Sequence, residues 1–110
     1  MAFLTVSDLI QIPLSNVARL PKPPHVAGVA WDTGIDVGGE SAIYFYVLLD
    51  DATPAHLRHL SSLQPIAHYY HDAITTALRE TQLRLATPIF VYVSFRLKSE
   101  HEAVAGSGAR

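Results

Sequence analysis

Six histidines in 110 residues are the first chemistry this sequence offers. His56 and His59 stand three apart, and so do His68 and His71. Residues at that spacing share a helix face. Each pair could therefore give a metal two imidazole nitrogens, with Asp72 beside His71 as an oxygen ligand or an outer-shell partner. A zinc site needs three or four convergent ligands, so the pairs make a metal centre only if their helices fold against one another. Otherwise they are surface or interface side chains on a sparsely charged helix pair. His25 and His101 stand alone. A second cluster is acidic: Asp32, Asp36 and Glu40, interspersed with Gly34, Gly38 and Gly39. It could hold a hard cation or a basic side chain of a partner. Its spacing is not that of an EF-hand loop, and a hairpin turn needs glycines and acids for backbone reasons alone.

The third cluster is aromatic. Two apolar runs, Ser41 to Asp50 and Ile89 to Lys98, read as strands, and in the second an apolar face alternates strictly with a more open one. Period two marks strands. Ile43, Phe45, Val47 and Leu49 share one face with Ile89, Val91, Val93, Phe95 and Leu97. Tyr44, Tyr46, Phe90, Tyr92 and Arg96 fall on the other. If helices cover the first face, these five side chains form an outer surface suited to a protein interface, where tyrosine is enriched. Bases could also stack there, although Arg96 and Lys98 are the only cations nearby.

Composition narrows the choice. Hydrophobic residues make up 49% and charged residues 16%, against about 25% charged in ordinary soluble domains. A surface so short of charge suggests that part of it meets a partner. The net charge of −2 gives no broad grip on a phosphate backbone. With no cysteine there are no disulfides, thiolate nucleophiles or thiolate metal sites. No Gly-x-Ser-x-Gly elbow and no phosphate-cradling Gly-Lys-Ser/Thr loop occurs. No motif implies a cofactor, and no assembled nucleophile and base point to an enzyme. The first residues lack the basic and apolar regions of a signal peptide, and no apolar run approaches membrane length. The expectation is a cytoplasmic protein with no membrane association.

The elements that must position these groups can be read along the chain. Ser7 and Asp8 start a helix whose stripe is Leu9, Ile10, Leu14, Val17, Ala18 and Leu20, with a kink or break at Pro13. Pro21-Lys22-Pro23-Pro24 is a stiff extended connector. His25 to Asp32 is a first strand, with Val26, Gly28 and Ala30 on one side and Ala27, Val29 and Trp31 on the other. The acidic glycine-rich run turns it into an antiparallel hairpin with the second strand, its glycines supplying any positive φ. Thr53 caps a short helix from Pro54 to about Ser61. A break at Ser62 to Pro65 precedes the main amphipathic helix, which runs to about Leu83. The last strand comes after a helical crossover and so lies parallel to the second. Residues 1–98 form one α+β domain: a three-stranded mixed sheet backed by helices in the order α-β-β-α-α-β. Residues 99–110 show no pattern and read as a mobile tail.

That order resembles the type II KH arrangement of the bacterial ribosome-binding factor A family over about residues 7 to 98. The residues carrying it are Ala42-Ile43-Tyr44-Phe45-Tyr46-Val47, the helix break at Ser61 to Pro65, and Pro88-Ile89-Phe90-Val91. The resemblance implies a KH-like fold, with a ferredoxin-like sheet as the alternative, and RNA as an alternative partner. The glycine-rich GxxG loop by which KH domains clamp RNA has no counterpart in this break. The segment Gly34-Ile35-Asp36-Val37-Gly38-Gly39-Glu40-Ser41-Ala42 is similar to one in short bacterial proteins, some encoded beside HEPN-type toxins. That likeness implies a small, antitoxin-like protein partner or a subunit of a larger complex. The reading is therefore a non-enzymatic interaction protein with a protein partner or a second copy. KH-like RNA binding and histidine metal binding are the alternatives.

Overall fold

Strand β2 (Ser41–Leu49) is the centre of the molecule. The computed structural model describes residues 6–84 and 88–107, with side chains for 9–59, 61–83 and 88–103. Strand β1 (Val26–Ile35) pairs with β2 antiparallel, and β3 (Ile89–Leu97) pairs with its other edge in parallel. The mixed sheet has the order β1-β2-β3. Parallel pairing needs a long crossover, and the helices between β2 and β3 provide it. The fold is the expected α+β architecture in the expected order α-β-β-α-α-β, with one more helix at its end.

The inner face of β2 carries Ile43, Phe45, Val47 and Leu49, all buried. Ile10, Leu14 and Val17 of α1 (Val6–Ala18) and Leu63, Tyr70 and Ile74 of α2 (Leu60–Ala77) pack with them. Full burial of each such aliphatic or aromatic side chain is worth about 1.5–3 kcal/mol. Trp31 of β1 stacks on Phe45 at 6.3 Å between ring centroids, and Tyr70 meets Phe45 from α2 at 5.5 Å. The Tyr70 hydroxyl is buried without a hydrogen-bond partner among the described residues. Burial, and then the neighbouring Tyr69, push its pKa upward.

Several boundaries differ from the sequence expectation. Helix α1 runs through Pro13 without dividing. Proline in a helix interior costs about 3 kcal/mol, but Ile10, Leu14 and Val17 lie on one stripe, and tertiary packing holds the helix on both sides of the lost bond. The expected start at Ser7 and Asp8 lies outside the described side chains. Strand β1 extends three residues past Asp32, to Ile35. It also carries a bulge: Val26 pairs with Leu49 and Gly28 with Leu48. The extra residue, Ala27, turns Val26 to the inner face beside Val29 and Trp31, so Val26 does not share a face with Gly28 and Ala30.

Thr53 does not cap a helix. Its hydroxyl donates to the Asp50 carbonyl at 2.6 Å, and Pro54 is extended. Next comes a 3₁₀ turn, Ala55–Arg58, braced by Arg58 Nε donating to the Thr53 carbonyl at 2.9 Å. The break before the main helix falls at His59, whose backbone is extended (φ −75°, ψ 151°), so residues 61–65 lie inside α2. Pro65 is tolerated because it sits early in the helix, and Ser61, whose carbonyl loses its bond, is exposed. Leu78 separates α2 from α3 (Arg79–Arg84), and Gln82 Oε1 of α3 accepts the Ile89 N–H at 2.9 Å, fixing the start of β3.

Where the sequence shows no pattern after β3, α4 (Lys98–Ser107) forms. Two of the N–H groups at its start are taken up by side chains. Glu100 reaches back to the Leu97 N–H at 3.0 Å, half of a capping box, and Asp51 accepts the Ser99 N–H at 3.1 Å. Among the described residues no helix is long and apolar enough to cross a membrane.

Candidate functional site: the outer sheet face

The strand register sets the outer face in rows across the sheet. Gly34, Ala42 and Phe90 form one row, and Asp32, Tyr44 and Tyr92 the next. Ala30, Tyr46 and Ser94 come third, and Gly28, Leu48 and Arg96 fourth. All five residues expected on this surface, Tyr44, Tyr46, Phe90, Tyr92 and Arg96, are on it. Phe90 and Tyr92 are 42% and 45% exposed, whereas Tyr44, Tyr46 and Arg96 are half-buried.

The hairpin end is built by the turn. Asp36 Oδ1 accepts the N–H groups of Gly38 at 2.9 Å and Glu40 at 3.1 Å. Its other oxygen, Oδ2, accepts the Tyr92 hydroxyl at 2.9 Å. These donors hold the Asp36 carboxyl below the usual carboxylate range, the Glu40 N–H most strongly and then Tyr92, with burial opposing them and the Gly38 N–H adding least. The same bond raises the pKa of Tyr92, with help from burial and the Asp36 charge. Tyr92 thus stays a neutral donor beside a fixed anion.

Tyr44 stacks on Tyr92 with centroids 5.6 Å apart and planes at 17°. A Cβ on Gly34 would come within 3.4 Å of the Tyr44 ring, so glycine at this position gives the ring room. Gly39 alone among the turn glycines uses a positive φ, of 83°. Gly34, Asp36 and Gly39 of the Gly-x-Asp-x-x-Gly-Glu segment thus each have a structural role. Asp32 is exposed and Glu40 half-buried, and the only carboxylate of the acidic loop engaged by the turn is Asp36.

The opposite end is closed by the chain itself. The Arg96 guanidinium lies 4.0 Å from the centroid of Tyr46. His101 of α4 tilts against the same ring at 6.0 Å, and Arg96 Nη1 donates to its Nδ1 at 3.3 Å. Sequence reasoning left His101 aside as isolated. A signal for the helix that carries it is the acid at its third position, Glu100, the mark of a capping box.

The histidines do not converge. His59 is in extended backbone after the 3₁₀ turn and shares no helix face with His56, while His68, His71 and Asp72 are exposed on α2. Among the described residues there is no group of three or more His, Asp or Glu side chains placed to share an ion. Two concavities lie away from the outer face. One runs between α1 and α2 beside Val17, Leu20 and Ala73, and another lies where Leu78 and Gln82 meet Ile89 and Val91. Both are lined mainly by apolar groups.

The molecule is thus a small α+β protein with an aromatic outer sheet face. Comparisons with protein families, with curated proteins and with solved structures gave no match to the chain.

Proposed function

We propose that this chain is a small non-enzymatic interaction protein that docks another protein through the outer face of its sheet. The observation that carries the reading is the exposure of Phe90 and Tyr92, 42% and 45%, on a strand whose alternate side chains complete the core. Exposed aromatic surface bordered by polar groups is characteristic of docking sites. An antitoxin-like partnership or a place in a larger complex fits such a face.

RNA could draw on the same rings, but Asp32 and Asp36 border them and the chain carries net charge −2, which repels a phosphate backbone. The test is co-purification of the tagged full chain from its native host, beside the Phe90→Ser/Tyr92→Ser double variant, with folding of both checked by circular dichroism. The expected result is a stoichiometric protein partner lost only in the variant. A partner retained by the folded variant, or a strictly monomeric chain that captures nothing, overturns the reading. Salt-dependent RNA binding that Tyr44→Ala or Arg96→Ala abolishes promotes the RNA alternative in its place.

A further inference from the structure

The two ends of the outer face carry the same ring chemistry in different states. At one end Tyr46 has a guanidinium on its face, supplied by Arg96 of the same chain. At the other, Tyr44 and Tyr92 are stacked, and among the described residues no cation lies over either ring. Carboxylates flank them instead. Asp32 is the cross-strand neighbour of Tyr44 and is exposed, and Asp36 holds the Tyr92 hydroxyl. Three acids, Asp32, Asp36 and Glu40, gather at this end.

Tyrosine faces attract cations through the ring quadrupole, and adjacent carboxylates add Coulomb attraction in the same direction. A guanidinium fits better than an ammonium. It is planar, stacks on rings, and can give two parallel hydrogen bonds to a carboxylate while it does so. Phe90 and the fully exposed Val37 at the turn offer apolar surface on either side for the aliphatic stem and neighbouring residues.

We propose that the open half of the outer face, the Tyr44–Tyr92 stack between Asp32 and Asp36, receives an arginine-bearing segment of a partner protein. The guanidinium lies on the tyrosine rings and pairs with Asp32. The inference rests on the docking role above and names the chemistry of the partner. Asp36 contributes charge without moving: two N–H groups and the Tyr92 hydroxyl fix its carboxylate, and they favour its ionised form. Asp32, exposed and outside those bonds, is the acid that pairs with the ligand.

The test is a nuclear magnetic resonance titration of the isotope-labelled full chain with an acetylated, amidated Gly-Arg-Gly-Arg-Gly peptide and its citrulline twin, at low salt. The expected result is weak binding, with a dissociation constant on the order of 1 mM. Shifts should concentrate at residues 32–44 and 90–92, and the citrulline peptide should bind at least about fivefold more weakly. Asp32→Asn, a surface change that leaves the fold intact, should weaken the arginine peptide and leave the citrulline peptide unchanged. Equal binding of both peptides, or shifts centred elsewhere, overturns the proposal.

If the arginine peptide fails while Phe90→Ser/Tyr92→Ser still abolishes partner capture, the cation inference falls and the docking face stands. If the peptide behaves as expected but the double variant keeps its partner, the docking role falls instead. Sedimentation at the titration concentration covers the remaining occupant. A dimer that the peptide dissociates makes a second copy the natural ligand and overturns the assignment to a different protein.

Discussion

The two ends of one sheet face treat the tyrosines of β2 differently. At the α4 end, Tyr46 is covered by Arg96 and His101 of its own chain. At the hairpin end, Tyr44 and Tyr92 cover each other, Tyr44 half-buried and Tyr92 exposed. The difference lies in the connection at each end of the sheet. After Leu97 the chain turns into a helix capped by Glu100 and Asp51, which brings His101 back over the face. After Ile35 it makes a tight turn around a single carboxylate that takes up the Tyr92 hydroxyl and leaves the Tyr92 ring exposed. Exposure on this surface thus depends on the connections as well as on the strands, which place three rings at the hairpin end and one at the α4 end.

That contrast can be broken or sharpened in order of effect. Phe45→Ala should destroy it, because Phe45 lies behind both ends and joins Trp31 to Tyr70. A loss of about 3–5 kcal/mol by urea denaturation is expected, with signals from the two ends lost together. Gly34→Val should strike the hairpin end alone. The added side chain displaces the Tyr44 ring, at a cost of about 1–3 kcal/mol. Near-ultraviolet circular dichroism should report the lost tyrosine stack while amide exchange in α4 stays as it was.

Arg96→Ala should strike the other end alone. It should cost about 0.5–1 kcal/mol and speed amide exchange over residues 98–103. The smallest effect is a pH dependence confined to the hairpin. The Asp36 pKa is lowered in the folded protein, so its contribution is fully present above the unfolded carboxyl value of 3.8 and is lost as pH falls through the folded value. The Tyr92 and Gly38 amide resonances should hold steady down to that region and then shift. In Asp36→Asn the acid-induced shift should be absent.

Much of the sheet was legible because β3 alternates along its sequence and β2 is a continuous apolar run whose inner residues form the core, although Ala42 and Leu48 of its other face are buried too. The outer-face residues came out of the same pattern. What escaped was set by interactions that no local period records. The bulge at Ala27 reverses Val26 because Leu49 offers it the core. The break at His59 instead of at Pro65 depends on Arg58 bracing the preceding loop. The helix after Leu97 exists because Asp51, far away in sequence, supplies an acceptor to its first turn. The turn glycines were credited with backbone freedom as a group, yet Gly34 makes room for the Tyr44 ring of the neighbouring strand. The histidine spacing was real in sequence, but α2 directs Leu63, Tyr70 and Ile74 inward and leaves His68 and His71 outside.

The bond between Tyr92 and Asp36 also has a consequence for the order of assembly. Its partners lie 56 residues apart, whereas β1 and β2 meet across a turn of a few residues. A nearby pairing closes quickly, and one that must gather a long loop comes later. The hairpin can zip up early while its tip keeps a loose carboxylate. Only when the third strand arrives does a hydroxyl latch that tip, so the last piece of the sheet to dock is also the one that finishes the first turn.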